Sequence, residues 1–209
     1  MEDPDIPRYV TRIFAGGNTS MCCDRKGNWY MWGLDILRRS KSIQQKPTVS
    51  FMNVRSVIPY PQLVELFSFE VKDVAIGEQH ILALDKNGNV YAAGSNTKGQ
   101  CATTGEFVLN FTKVDVPAGM KGIFATGYVS GCYGPDGLYM WGDCESPLMS
   151  VFADKTEGAK PRAVPELKNV EMVKASGTHI LVQCSTEQSR KREAEGEEES
   201  EAKKAKVDA

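Results

Sequence analysis

The sequence has no cysteine pair in C-x-x-C spacing, only two histidines, no hydrophobic run of membrane-spanning length and no excess of positive charge. Each shortage narrows the field. Without C-x-x-C spacing, Cys22, Cys23, Cys101, Cys132, Cys144 and Cys184 announce neither a zinc site nor a dithiol redox centre, and buried, inert thiols are expected. With His80 and His179 as the only imidazoles, a general base for Ser-His-Asp or Cys-His chemistry is hard to nominate. No catalytic residue, metal ligand set or cofactor is therefore expected. Gly16-Gly17 lacks the Gly-Lys-Ser/Thr ending and the following helix that would make it a phosphate loop. The acidic start, residues 1–7, lacks the basic-then-apolar order of a secretory signal, so an intracellular protein with reduced cysteines and no membrane partner is expected.

The formal charge of −2 conceals two unlike parts. From Arg190 to the end there are six basic and seven acidic residues, which leaves nineteen basic and twenty acidic residues of the 25 and 27 in the whole chain for the body. A body so nearly neutral has no global basic excess for phosphate backbones, and direct nucleic-acid binding is not expected.

What the sequence does have is glycine and short apolar runs arranged periodically. Residues 71–94, VKDVAIGEQHILALDKNGNVYAAG, read as two strands, a tight Asn87-Gly88 turn and a third strand. Residues 12–33, RIFAGGNTSMCCDRKGNWYMWG, repeat this without a gap: Gly16 matches Gly77, Gly27 matches Gly88, and Trp32-Gly33 match Ala93-Gly94. Residues 122–142, GIFATGYVSGCYGPDGLYMWG, repeat it two residues shorter, with Gly127, Gly137, Trp141 and Gly142 in the matching places. Residues 173–184, VKASGTHILVQC, repeat the opening half with Gly177 and His179. A period of this size, in short strands joined by glycine turns, points to an all-β array of propeller blades and not to a helical solenoid. The repeat glycines read as structural, at crowded strand positions or in turns. His80 and His179 read as a repeated structural pair whose ring bonds a backbone group of the neighbouring blade. Trp29, Trp32, Trp141, Tyr30 and Tyr139 read as blade packing. Pro47, Pro59, Pro61, Pro117, Pro161 and Pro165 all fall between the strands of this reading, and residues 146–160 have room for one short helix.

The order apolar-x-x-apolar-Ala-x-Gly-x-x-His, then Gly-x-apolar-Tyr-x-Trp/Ala-Gly, then residues 94–100, GSNTKGQ, resembles the repeat of the regulator of chromosome condensation family, over about residues 10 to 184. The resemblance implies four-stranded blades around a central channel, in a ring of seven, and family activities that include nucleotide exchange on the small GTPase Ran, chromatin attachment and scaffolding. The chain departs from the pattern in three places. Cys101-Ala102 stand where Leu-Gly usually follows Gly-Gln, the first and third repeats lack Asn-x-x-Gly-Gln, and Ala93 replaces the tryptophan. It also supplies about three and a half blades, so either a protein partner or a symmetric homodimer covers the strand edges left open, since two such arcs add to seven, or the chain is a shortened product of a longer gene.

The division expected is an N-terminal segment at 1–9, propeller repeats at 10–185 and a disordered charged tail at 186–209. In the tail, Lys191-Arg192, then ten residues, then Lys203-Lys204-Ala205-Lys206 resembles a bipartite nuclear import signal read by importin. The function expected is a non-catalytic nuclear protein-interaction module. The competing readings are a guanine-nucleotide exchange factor for a Ran-like GTPase and a chromatin-associated adaptor, the second disfavoured because the N-terminus is acidic where the family's chromatin arm is basic.

Overall fold

Short runs of alternating apolar residues, broken every six or seven positions by glycine or an Asp-containing turn, can satisfy their backbone groups only by pairing with one another. The computed structural model describes residues 7, 9–37, 57–143, 145–152, 159–165 and 167–185 and shows that pairing. Strands β1 (Val10–Gly16), β2 (Thr19–Asp24), β3 (Trp29–Leu34) and β4 (Val57–Val64) form one antiparallel sheet in chain order. Strands β5 (Val71–Ile76), β6 (His80–Asp85), β7 (Val90–Ser95) and β8 (Phe107–Lys113) form a second. The third comprises β9 (Gly122–Thr126), β10 (Val129–Gly134), β11 (Gly137–Gly142) and β12 (Arg162–Ala163). A pair, β13 (Val170–Ser176) and β14 (His179–Cys184), ends the described residues. The fold is an all-β propeller-type array of three blades and a half. The short helix expected in 146–160 is a single 3-10 turn over Pro147–Val151, capped by the Ser146 hydroxyl.

The first strands of successive sheets, β1, β5, β9 and β13, lie side by side and line the inner rim. Apolar side chains fill the gaps between sheets. Met21 and Met31 of the first blade meet Val74, Ile76, Ile81 and Ala93 of the second. Leu82, Leu84, Val90 and Ala92 meet Ile123, Cys132 and Trp141 of the third. Phe124, Val129 and Met140 meet Val170 and Val173 of the half blade. Polar ties join the blades at the rim as well. The Glu78 amide donates to the Gly127 carbonyl at 2.8 Å, the Gly177 amide to the Thr126 hydroxyl at 2.9 Å, and the Arg12 guanidinium to the Val71 carbonyl at 3.1 Å.

Several expectations from the sequence are corrected by this geometry. Asn87-Gly88 is not a two-residue reversal. Asp85 and Asn89 close the hairpin (3.0 Å) around a three-residue loop in which Gly88 alone takes positive φ, +79°. The register also moves two repeat glycines by one place. Gly16 pairs with Thr19, and the Gly77 amide bonds the His80 carbonyl, but the residues paired at the same level in the later hairpins are Thr126 and Ser176. Gly127 and Gly177, at φ +53° and +55°, therefore correspond to Gly17, at +51°. Pro59 and Pro61 lie inside β4, which tolerates them because it is the outermost strand of its blade and, among the described residues, no strand pairs with its free side. Two arcs do not add to a seven-bladed ring. The half blade consists of its two innermost strands, so two copies bring eight inner strands. Residues 1–6, Cys144 and the charged tail with its basic clusters lie outside the described residues.

Candidate functional site

The densest polar arrangement lies where the second blade meets the third. His80 opens β6, Ser130 sits on β10, and Gln100 belongs to the connector between β7 and β8; all three are wholly buried. Asn96 shapes that connector. Its side-chain amide donates to the Thr103 and Gly105 carbonyls, each at 2.7 Å, and its side-chain oxygen accepts from the Cys101 amide at 2.9 Å. The turn so held drives the Gln100 carbonyl into the gap between blades, where it accepts the Ser130 hydroxyl at 2.7 Å and the Trp141 indole N–H at 3.0 Å.

Proton counting then fixes the imidazole. The Ser130 hydroxyl has one proton and gives it to the carbonyl, so its oxygen accepts from His80 Nε2–H at 2.8 Å. Among the described residues the Nδ1 atom is left buried as an acceptor without a partner. Burial alone drives the ring's pKa down to about 3, which keeps it neutral. A serine nucleophile needs the opposite polarity, with the hydroxyl donating to the imidazole and an approach for substrate. Here both groups are sealed and the proton points away. The arrangement is a buckle between blades.

The histidine therefore bonds the neighbouring blade, as its repeated position suggested, but through a serine hydroxyl instead of a backbone group. His179 occupies the same register on β14, opposite Ser176, and is exposed. The two histidines share a place in the repeat and have different surroundings. Trp32 and Trp141 also share a place, and only Trp141 reaches a polar loop of the preceding blade. At the matching site on β7, Ala93 is buried in the same cluster as Ile36 and Leu37 of the first blade. Alanine thus stands where the neighbouring surface is Ile36 and Leu37, and tryptophan where it is the Gln100 carbonyl.

The glycines divide by cause. A Cβ on Gly16 would overlap the Ile76 carbonyl, and one on Gly77 would overlap the His80 ring while reaching 3.0 Å from the Gly127 carbonyl, so these two are held by close approach. Gly33, Gly94 and Gly142 take φ of +90°, +113° and +116° on the third strands, where a side chain would also meet the carbonyls of Asn18, Gln79 and Tyr128. Gly27 is a turn residue at φ +86°, whereas Gly137, at +130°, opens β11 and pairs with Gly134 across a Pro135-Asp136 turn, one residue before the Asp136-Gly137 turn expected from the sequence.

Sequence reasoning missed Asp24 and Asp85. Asp85 Oδ1 accepts the Asn87 and Asn89 amides (2.9 and 2.8 Å), and Oδ2 accepts the Asn89 side-chain amide (2.7 Å) and the Tyr91 hydroxyl (3.4 Å). Asp24 does the same with Lys26, Asn28 and Tyr30. Desolvation raises each carboxyl pKa, but the hydrogen bonds outweigh it and hold both below the ordinary value. The signal was present as DRKGNWY and DKNGNVY, an Asp-x-x-Gly-Asn-x-Tyr spacing absent from the third hairpin.

The thiols are buried at Cys22, Cys23, Cys101 and Cys132, and burial pushes Cys101 and Cys132 up to about 12. Cys184 is exposed, against the expectation of buried thiols throughout. Among the described residues no cluster of three His, Cys, Asp or Glu side chains is placed to hold a metal ion. No described helix is long and apolar enough to cross a membrane.

Residues 71–100 match the family described as the regulator of chromosome condensation (RCC1) repeat. Protein pim1 of Schizosaccharomyces pombe is 36% identical over 94 residues, covering 44% of this chain and 16% of that protein. The E3 ubiquitin-protein ligase HERC2 of Homo sapiens is 29% identical over 137 residues, 65% of this chain and 2% of that one. Yeast RCC1 (Prp20), solved with Kap60 bound, superposes with a TM-score of 0.68 at 19% identity, over 90% of this chain and 45% of its own. Prp20p of Saccharomyces cerevisiae, in a structure described with its binding properties to Gsp1p and histones, gives 0.67 at 20% identity, over 91% and 48%. The chain spans about half the length of these solved structures and a smaller share of the curated relatives.

Proposed function

We propose that this chain, built of regulator of chromosome condensation repeats, is a non-catalytic nuclear module that holds a protein partner. The observation that carries the reading is the buried Ser130–His80 pair. The arrangement that most resembles a nucleophile and its base has its hydroxyl proton committed to a carbonyl and serves to join two blades. The other conspicuous polar clusters, at Asp24, Asp85 and Asn96, bind their own turns. Rigid blades with loops along both rims suit presentation of a surface, since a scaffold that fixes its loops loses little further entropy when a partner docks. In this reading the basic tail clusters Lys191-Arg192 and Lys203, Lys204 and Lys206 engage importin, and the partner is a Ran-like GTPase or a chromatin protein.

Exchange-factor activity is the second reading, favoured by one specific finding: the relative Prp20p was studied for binding to Gsp1p. Release of labelled nucleotide from a Ran-like GTPase, with and without this protein, separates the two. No acceleration together with recovery of a nuclear protein in a pull-down is the expected result, and accelerated release replaces the first reading with the second.

A further inference from the structure

The three complete blades protect their outermost strands in ways the half blade does not. Strand β4 carries Pro59 and Pro61, β8 carries Lys113, and β12 is only two residues long between Pro161 and Pro165. Prolines, charges and short length are the means by which sheet edges avoid pairing with another chain. Strand β14 reads His-Ile-Leu-Val-Gln-Cys, with no proline and no charged side chain, and among the described residues no strand pairs with its outer side. Its place in the sheet is that of β2, β6 and β10, each of which is paired on both sides. It has the sequence of an interior strand.

Hairpin geometry says which groups face outward. Gly177-Thr178 form a two-residue turn closed by Ser176 and His179, so His179 and Leu181 direct their backbone groups to β13 while Ile180 and Val182 direct theirs away. Leu181 is 75% exposed, and Met172 lies exposed on the same face.

We infer that β14 pairs with itself, two copies joining β14 to β14 antiparallel into one four-stranded sheet, the strand number of every complete blade. The strand is complementary to its own copy about a twofold axis at Leu181. In that register the outward groups of Ile180 bond those of the partner's Val182, and the reverse, while Leu181 stands against the partner's Leu181 in a close, non-hydrogen-bonded pair. No like charges oppose each other. Both β13 strands then lie at the far edges of the shared sheet, so the product is two arcs joined at one blade and not a closed ring. The inference is independent of the proposed function.

Sedimentation velocity of the full chain across the micromolar range tests it. Wild type should show a concentration-dependent dimer, and Leu181→Lys should stay monomeric with an unchanged melting temperature. The double variant Leu181→Cys/Cys184→Ser should form a reducible covalent dimer on mild oxidation. Wild type should not, because its Cys184 residues would stand about 20 Å apart along the paired strands. A monomer at every concentration, a dimer that survives Leu181→Lys, or a failure of the double variant to cross-link each overturns the pairing.

Discussion

Ser130 Oγ lies 2.8 Å from His80 Nε2, joining side chains fifty residues apart that belong to adjacent blades. The bond is buried and its histidine stays neutral, so it ties stability to pH. In the unfolded chain the ring titrates near 6.5, and in the folded chain near 3. A depressed folded value leaves stability intact above about pH 6.5 and removes it as pH falls toward 3, because only the unfolded state accepts the proton. Urea unfolding from about pH 7.5 to about pH 4.5 should lose roughly 2–3 kcal/mol in wild type, and His80→Gln, less stable at neutral pH, should lose much less over the same interval. Equal losses in the two proteins would remove His80 from the account.

Gly77 and Gly177 look alike in the repeat and should respond differently to alanine. A methyl at Gly77 meets the His80 ring and the Gly127 carbonyl, whereas nothing lies within 4 Å of the place it would take at Gly177, where only φ is unfavourable. Gly77→Ala should cost about 2 kcal/mol or more and Gly77→Val more still, as overpacking does. Gly177→Ala should cost about 1 kcal/mol, the price of a left-handed residue. Thermal melts giving Gly177→Ala the larger loss would reverse the assignment.

Asp85 is the acceptor for four donors of one hairpin, so Asp85→Ala leaves Asn87, Asn89 and Tyr91 without it. The expected loss is about 2 kcal/mol, the scale of hydrogen bonds to a charged group, with Asp85→Asn in between. Asp136→Ala, in the hairpin that lacks this arrangement, serves as the near-neutral control. Because the folded carboxyl pKa is lowered from 3.8, this contribution is present above that value and is lost as pH falls below it, in a more acidic interval than the one governed by His80. A chemical melt of Asp85→Ala indistinguishable from wild type would show that the hairpin holds without its carboxylate.

The tail clusters should act together in nuclear import. In a fluorescent fusion too large to diffuse through pores, Lys203→Ala/Lys204→Ala should reduce nuclear accumulation, and adding Lys191→Ala/Arg192→Ala should abolish it, with no change in melting temperature. Accumulation of the fourfold variant would place the signal elsewhere, Arg38-Arg39-Ser40-Lys41 being the next basic stretch.

The chain by itself determined the first three strands of each complete blade and the number of repeats, because these follow from contacts within about twenty residues: alternation sets the faces, and Gly27 and Gly88 mark the reversals. Even there, the one-residue shift of Gly127 and Gly177 was hidden, since a glycine letter does not distinguish crowding at Gly77 from a positive φ at Gly127. The tertiary structure alone decided what the shared letters do. His80 and His179 occupy one register, yet His80 is buried against Ser130 of the next blade, while His179 stands on the exposed face of the half blade. Ser130 had no signal in the sequence, because its role depends on a carbonyl thirty residues earlier in the chain that Asn96 turns into the gap between blades. Burial, proton direction and pKa belong to the meeting of two blades, and no single repeat encodes a meeting.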